Sequence, residues 1–187
     1  PSRKPWRTPQ FLQDRPLTGR EKGSATHLFM QFVRYESCTT REGIRQELVR
    51  MQAEKFLTPR QAEAVDAEKI LALFSSELGN RILHADSLRR EFKFSILADA
   101  AAYDPAAVGE QVMLQGVVDC FWQEPDGIVI LDFKTDYIHG DLQQKAARYA
   151  PQLRAYAQAL SRIYQCPVKK TVLYFFSAGR EVEIDPE

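Results

Sequence analysis

The sequence lacks the long apolar run that a membrane span requires. None of its hydrophobic stretches approaches the roughly 20 residues needed to cross a bilayer, and no signal-peptide pattern opens it. Hydrophobic residues make up 44% of the 187 residues and charged residues 27%, which is typical of one globular domain with a substantial core. We therefore expect a protein without a membrane association. Because its first residue is Pro1 rather than methionine, we also expect it to be part of a longer polypeptide.

Cysteine is scarce, and its spacing excludes several kinds of site. The three cysteines, Cys38, Cys120 and Cys166, are odd in number and far apart. This pattern argues against a disulfide framework, a zinc knuckle or a four-cysteine iron–sulfur cluster, and it fits a reducing cytoplasm. We expect three buried, unreactive thiols.

The chain also lacks an excess of either charge and a nucleotide-binding phosphate loop. Its 25 Lys+Arg balance 25 Asp+Glu, so net charge does not indicate a nucleic-acid partner. Residues 1–60 carry 12 Lys+Arg against 6 Asp+Glu, which fits a phosphate-binding surface or the solvated faces of helices. No G-x-x-x-x-G-K-[ST] motif occurs, so the sequence gives no indication of a nucleotide-binding phosphate loop.

Hydrophobic periodicity predicts helices in the first half of the chain and mainly strands in the second. Residues 1–22 are rich in proline and predict an extended arm or linker before a domain at residues 23–187. In that domain we predict a helical part at 23–88 and an α/β (α+β) core at 89–187. The predicted helices are 24–35, 39–56, 58–73, 74–84 and 150–164, and the predicted strands are 90–98, two within 116–134, 168–176 and 180–184.

The most informative stretch is GVVDCFWQEPDGIVILDFKTD, at residues 116–136. Its two apolar runs predict neighbouring strands that are buried on both faces, yet each contains one aspartate, Asp119 and Asp132. An unpaired carboxylate is costly in such a place, so each aspartate needs a cation or hydrogen-bond donors. Strand alternation places Lys134 on the same face as Asp132.

The length of the turn between these strands decides whether the two aspartates meet. A four-residue loop at 124–127 places Asp119 opposite Asp132, with about 4.5–5.5 Å between their Cβ atoms. A two-residue loop at 126–127 places Asp119 opposite Lys134, and a three-residue loop separates the aspartates onto different faces. A shared metal site therefore requires an even loop, or a bulge that restores the phase.

Two converging carboxylates beside a lysine suit metal-dependent hydrolysis of phosphodiesters. Like charges at that distance repel each other, and a hard divalent cation such as Mg²⁺ relieves the repulsion while retaining water ligands. Lys134 would orient a water or stabilise charge on the phosphate. The residues alone also allow a simpler interpretation, in which Asp119 and Lys134 form a structural ion pair and Asp132 caps a turn.

Five short motifs occur in a fixed order along the chain. They are GSATH with His27, Glu91 in the first strand, G-x-x-D ending at Asp119, D-F-K from Asp132 to Lys134, and QLRAY with Gln152 and Tyr156. This ordered set resembles the RecB-like nucleases of the PD-(D/E)xK superfamily, and more closely the C-terminal nuclease domain of the AddA subunits of bacterial AddAB helicase–nucleases. The likeness covers nearly the whole chain, with a serine where the G-T-x-x-H pattern has threonine.

The resemblance implies a restriction-endonuclease-like fold, with a central mixed sheet of about five strands flanked by helices and an N-terminal helical part. It also implies that Mg²⁺, or Mn²⁺ as an alternative, is bound by a shared set of ligands. These are the side chains of His27, Asp119 and Asp132 and the backbone carbonyl of Phe133. For His27 taken alone, a structural role on a helix face is the simpler interpretation.

The remaining motif residues receive catalytic or positioning roles from the resemblance. Lys134 would be the catalytic lysine, acting with the two aspartates, and Glu91 would be an accessory catalytic acid unless it pairs with a neighbouring arginine. Gln152 and Tyr156 would position the substrate, although packing in the core is an equal alternative for Tyr156.

For function, the resemblance implies a metal-dependent DNA exonuclease domain that processes ends in double-strand-break repair and homologous recombination. A water activated by the metal would attack the phosphodiester with help from Lys134. The partners would be single-stranded DNA, the helicase portion of the same chain, where ATP binds, and an AddB-like partner in the bacterial cytoplasm; no iron–sulfur cluster is implied. The alternative is a catalytically silent module that guides DNA or docks a partner protein.

Overall fold

The computed structural model describes residues 16–102 and 104–186, in which a five-stranded mixed sheet lies between two layers of helices. Only the β3–β4 pair is parallel among the neighbouring strands described. In spatial and sequence order the strands are β1 (Arg89–Asp99), β2 (Gln111–Glu124), β3 (Gly127–Lys134), β4 (Val168–Phe175) and β5 (Arg180–Ile184). The predicted sheet is confirmed. Residues 1–15 of the arm predicted at 1–22 lie outside the described residues.

Within residues 16–102, five α-helices precede the sheet and cover one of its faces. They are α1 (Gly19–Phe32), α2 (Arg41–Ala53), α3 (Pro59–Ala64), α4 (Ala67–Phe74) and α5 (Glu77–Leu83), with a 3-10 turn at Tyr35–Thr39. The first helix begins earlier than the predicted residue 24 because Thr18 and Glu21 form a capping box.

The single helix predicted at 58–73 is wrong, because this segment forms α3 and α4. The capping box of Thr58 and Gln61 begins α3 as predicted. Asp66 then accepts hydrogen bonds from the backbone N–H groups of Glu68 and Lys69 and starts a second helix. The chain therefore changes direction at Val65, whose backbone is extended.

The opposite face of the sheet is covered by α6 (Leu142–Ala147) and α7 (Ala150–Tyr164). Pro151 lies in the first turn of α7, so the predicted start at Ala150 is confirmed. The sequence predicts that α7 packs on the sheet through Leu153, Tyr156, Ala157, Leu160 and Ile163. The first four are buried as predicted, but Ile163 is 40% exposed and Ala159 is buried instead. None of the helices in the described ranges is long and apolar enough to span a bilayer.

The central strands are buried on both faces, as their continuous apolar sequence predicts. Side chains on one face of β2 and β3 pack against the N-terminal helices; these are Cys120, Trp122, Val129, Leu131 and Phe133. The other face packs against α7 through Phe121, Ile128 and Ile130. Every residue of β3 from Gly127 to Phe133 is buried, so this strand is the rigid centre of the domain.

The β2–β3 turn has the even phase that a shared site requires. The ladder pairs Glu124 with Gly127 and continues to Cys120 with Leu131, which is the register expected for the four-residue loop. The pairing leaves a two-residue turn, Pro125-Asp126, and excludes the alternative turn at 126–127. Glu124 stabilises this turn through contacts with the side chains of Lys169, Arg81 and Trp122. The hydrogen bonds from these three groups lower the pKa of Glu124 to about 2.

Candidate active site

A cavity of about 300 Å³ opens at the end of β3, between α1 and α7. It gathers seven of the eight residues that the sequence singles out, which come from four elements far apart in the chain. These are His27, Asp119, Asp132, Phe133, Lys134, Gln152 and Tyr156. The eighth, Glu91, is not among the described residues that line the cavity, although its charge raises the pKa of Asp119.

A backbone irregularity lies directly beside Asp119. Strand alternation predicts Val118 and Cys120 on one face of β2 and Phe121 on the other. Val118 instead packs in the same core as Phe121, whereas Cys120 packs in the opposite core, so this prediction is wrong beside Asp119. Across the ladder Glu91 has a φ of 50°, in the left-handed region that residues with a side chain rarely adopt. The β1–β2 register is the same on both sides of this position, so the sheet is distorted locally, and such strain clusters at functional sites.

Asp119 is held in place by a backbone donor and lies near an imidazole. The N–H of Phe133 donates to its Oδ2 at 2.8 Å, and Nδ1 of His27 lies 3.6 Å from the same oxygen. Burial, followed by the charge of Asp132, raises the pKa of Asp119. Two acidic groups thus share one partly closed space, which favours a cation between them.

Asp132 and Lys134 form the closest ion pair of the cavity. Nζ of Lys134 lies 2.5 Å from Oδ2 of Asp132, and only 3% of Asp132 is exposed. The same oxygen accepts no well-directed hydrogen bond from the described residues. The simpler interpretation from sequence, an ion pair of Asp119 with Lys134, is therefore wrong in its partner, and Asp132 lies inside a buried strand rather than at a turn.

The donor set of this cavity fits a hard divalent cation in its chemistry. Two carboxylates offer oxygen ligands, and burial lowers the pKa of His27, so that its imidazole is neutral near pH 7 and able to bind a metal. The buried Oδ2 of Asp132 is an acceptor that a cation would satisfy. As arranged, no three histidine, cysteine or acidic side chains among the described residues form a group ready to hold a metal.

The glutamine and tyrosine of α7 form the far wall of the cavity. Gln152 accepts from Nζ of Lys134 at 3.3 Å and donates to the hydroxyl of Tyr156 at 2.7 Å, a contact that their four-residue spacing on a helix permits. The ring of Tyr156 packs edge-on against Phe94 in the core, and Gly116 makes room for it, since a Cβ there would lie 2.8 Å from the tyrosine ring. Tyr156 therefore packs in the core, which was one of its two predicted roles, and it also lines the cavity.

Sequence reasoning missed two residues of the site, Tyr149 and Asp136. The Tyr149 ring centroid lies 4.2 Å from Nζ of Lys134, and its hydroxyl donates to Asp136 at 2.6 Å. This hydrogen bond lowers the pKa of Asp136, and burial raises that of Tyr149. Their spacing was a usable signal, because Tyr149 precedes Gln152 by three residues at the start of the helix and Asp136 closely follows Lys134.

The contact between Gly23 of α1 and Thr135 sets the position of His27. A Cβ at Gly23 would lie 2.5 Å from Oγ1 of Thr135 but an acceptable 3.4 Å from its Cβ. The small residue therefore lets α1 approach the end of β3 closely, and one helical turn later His27 reaches the cavity.

We expect Gly23→Ala to reduce the rate of phosphodiester hydrolysis at this site about 100-fold. The added methyl group would displace His27, and a shift of about 1 Å in such a group has effects of that size. Adding Thr135→Ala removes the clashing oxygen and should restore activity to within about threefold of the parent. Steady-state rates of the two single variants and the double variant measure this coupling. Equal rates for the single and double Gly23 variants would contradict it.

Comparison with known proteins gives consistent matches over almost the whole chain. A family model described as the PD-(D/E)XK nuclease superfamily matches residues 5–186. An ATP-dependent helicase/nuclease of the AddA type from Bacillus cereus (strain Q1) is 41% identical over 98% of this chain, and its counterpart from Clostridium novyi (strain NT) is 39% identical over 94%. The chain spans only 16% and 15% of those relatives. A crystal structure of SSO0001 aligns over 86% of this chain and 66% of its own, with a TM-score of 0.40 and 16% identity, a likeness too low to carry an argument.

Proposed function

The chain belongs to the PD-(D/E)XK nuclease superfamily, and from that premise we propose that it hydrolyses DNA phosphodiester bonds in a reaction that depends on a divalent metal. One observation carries the proposal. The β2–β3 register brings Asp119, Asp132 and Lys134 into a single cavity with His27 and Gln152. Two carboxylates and a lysine at the end of buried strands combine metal ligands with a donor for the phosphate.

We assign the metal to the ligands that the resemblance implies. These are the side chains of His27, Asp119 and Asp132 and the carbonyl of Phe133, with Mg²⁺ as the ion and Mn²⁺ as a substitute. When bound, such an ion would supply Lewis-acid polarisation of the phosphate and a more acidic water. Glu91 would act as an accessory acid, since its charge lies close enough to influence Asp119.

Lys134 has the central part in the chemistry that the chain itself performs. Its ammonium is held between Asp132, Gln152 and the ring of Tyr149. With Asp132 engaged by the metal and with Gln152 and Tyr149 still in contact, Nζ would donate hydrogen bonds to a phosphate oxygen as charge develops on it. Gln152 keeps the lysine oriented, and with Tyr156 it positions the strand beside the two carboxylates.

Tyr149 is a positioning residue for Lys134 in this account. We expect Tyr149→Leu to lower kcat about 10- to 30-fold with little change in KM, because a cation–π contact contributes up to about 2 kcal/mol when shielded from water. Tyr149→Phe keeps the ring but loses the hydrogen bond to Asp136, so it should recover most of kcat. Steady-state kinetics of both variants give kcat and KM separately. An equal loss of kcat in Tyr149→Leu and Tyr149→Phe would contradict the role of the ring.

The wider setting of the reaction is proposed from the named relatives. They are helicase/nuclease subunits several times longer than this chain. We place this domain beside a helicase portion that uses ATP and delivers single-stranded DNA, and beside an AddB-like partner. Its work would be exonucleolytic trimming of DNA ends in double-strand-break repair and recombination, in the bacterial cytoplasm, where its three free thiols stay reduced.

The experiment that tests the function is cleavage of end-labelled single-stranded DNA by the full-length protein as Mg²⁺ or Mn²⁺ is added. We expect shortening of the strand that requires the ion and stops when EDTA is added. A control with Ca²⁺ separates binding from cleavage, because Ca²⁺ accepts the same oxygen ligands with longer bonds and looser geometry.

A second candidate is a silent module of the same fold that guides DNA or docks a partner. The observation that favours it is the ion pair of Lys134 with Asp132, a potential metal ligand. The described residues also contain no ready-made group of three metal-binding side chains. In that case the protein would retain labelled DNA at every metal concentration without shortening it.

A further inference from the structure

Two cavities continue from the active site along α1, and together they form a trough. The larger, of about 420 Å³, shares His27, Thr135 and Asp136 with the active-site cavity. The smaller, of about 150 Å³, shares Gly19, Gly23, Thr135 and Tyr137 with the larger one. The trough therefore extends from the cavity beside Asp66 and Lys69 to the active-site cavity that contains the two carboxylates.

Tyr137 lies on the trough between its two cavities and lines both. It is a large aromatic side chain that is 66% exposed, only three residues beyond Lys134. Nζ of Lys69 lies 5.9 Å from the centre of its ring. An open aromatic face beside a cation is the arrangement on which unpaired bases stack, without preference for sequence.

The charges along the trough also suit a phosphate backbone. Three basic residues line it, Arg20, Lys22 and Lys69, against two acidic ones, Asp66 and Asp136. The acidic pair is engaged within the protein, since Asp66 caps α4 near Lys69 and Asp136 accepts from Tyr149. By contrast, the side chains of Arg20 and Lys22 make no hydrogen bond or ion pair within residues 16–102 and 104–186.

We propose that this trough guides a single strand of DNA into the active site, with one base stacked on Tyr137 and phosphates beside Arg20 and Lys22. The inference rests on the proposed nuclease function and adds the path of the substrate. Duplex DNA does not suit the path, because its bases are already stacked on each other and cannot cover the tyrosine ring.

Replacing Tyr137 tests the stacking. In the full-length protein, Tyr137→Ala should raise KM for a short single-stranded oligonucleotide about 5- to 100-fold, the range expected for one lost base–aromatic stack. Tyr137→Trp should restore KM, because the ring is retained. The control is Val49→Ala, which changes another exposed apolar residue, 62% exposed on α2, and should leave KM unchanged.

Substitutions of Gly19 by residues of opposite charge give a second test, because their effects on KM should be opposite in direction. A Cβ at Gly19 would meet nothing within 4 Å, so side chains placed there enter the trough without disturbing the fold. Gly19→Lys should lower KM and Gly19→Glu should raise it, with Gly19→Gln between them. A glutamate at the start of a helix stabilises the helix and a lysine does not, so loss of folding would give the reverse order. An equal effect of the two charges would overturn the electrostatic part of the proposal.

A crosslinking measurement without metal separates this proposal from the proposed function. Tyr137 is replaced by the photoreactive p-benzoylphenylalanine, and labelled single-stranded DNA is added in EDTA. We expect a crosslink that unlabelled single strands compete away and duplex does not. Metal-dependent cleavage without this crosslink would overturn the trough and leave the nuclease intact. A crosslink in a protein that never cleaves would retain the trough and overturn the nuclease.

Discussion

Lys134→Ala is expected to reduce the rate of DNA cleavage by about 10²- to 10³-fold. The variant removes the ammonium that we place on the phosphate, and the loss of one such donor in an enclosed site typically costs 10²–10³ in rate. It also leaves Asp132 buried without its cation, so the thermal midpoint should fall in EDTA. Saturating Mg²⁺ should restore the midpoint, because the metal then supplies the missing positive charge, but it should not restore cleavage.

The matched control is Lys170→Ala. Lys170 pairs with Glu183 on the β4–β5 edge, with 2.7 Å between Nζ and the carboxylate, and the pair is partly exposed. Exposed pairs of this kind contribute at most about 1 kcal/mol, so its rate and midpoint should remain close to those of the parent. Cleavage by Lys134→Ala at the rate of this control would contradict the assigned role of the lysine.

Asp119→Asn is expected to abolish cleavage while stabilising the protein in the absence of metal. The change removes one of two buried acidic groups whose charges oppose each other, and the amide oxygen can still accept from the N–H of Phe133. A gain of about 1 kcal/mol corresponds to a rise of about 2–4 °C in the thermal midpoint for a domain of this size. Mg²⁺ should no longer raise the midpoint further, since one ligand of the ion has lost its charge.

Asp126→Asn serves as the control for this variant. Asp126 lies in the β2–β3 turn, pairs with Lys169 and is not among the described residues that line the cavity. Its substitution should change neither cleavage nor the response of the midpoint to Mg²⁺. Full cleavage by Asp119→Asn, or a lower midpoint in EDTA, would show that this aspartate is a structural group rather than a metal ligand.

The parts of the site that follow local rules could be predicted from the sequence. Strand alternation placed Lys134 beside Asp132, and the even turn at 124–127 gave the register that brings Asp119 to the same point. The start of α7 followed from Pro151, which fits only the first turn of a helix. These features depend on neighbouring residues, so the sequence contains the information.

The parts that depend on contacts between distant elements could not be predicted in this way. The break in side-chain alternation of β2 beside Asp119 accompanies the unusual backbone of Glu91 on another strand, and residue propensities do not reveal such strain. The spacing of Tyr149 and Gln152 indicates a shared helix face, but the contact of Tyr149 with Lys134 depends on how α7 packs against the end of β3. The exposed ring of Tyr137 likewise became informative only beside the trough.

The most direct test of the account is the position of Mn²⁺ in crystals of the protein, located by its anomalous scattering. We predict one ion bound by carboxylate oxygens of Asp119 and Asp132, by the imidazole of His27 and by the carbonyl of Phe133. Lys134 would then have left Asp132, because the ion takes its place at that oxygen. The account would be contradicted if crystals in saturating Mn²⁺ showed no ion between the two aspartates and Lys134 were still paired with Asp132.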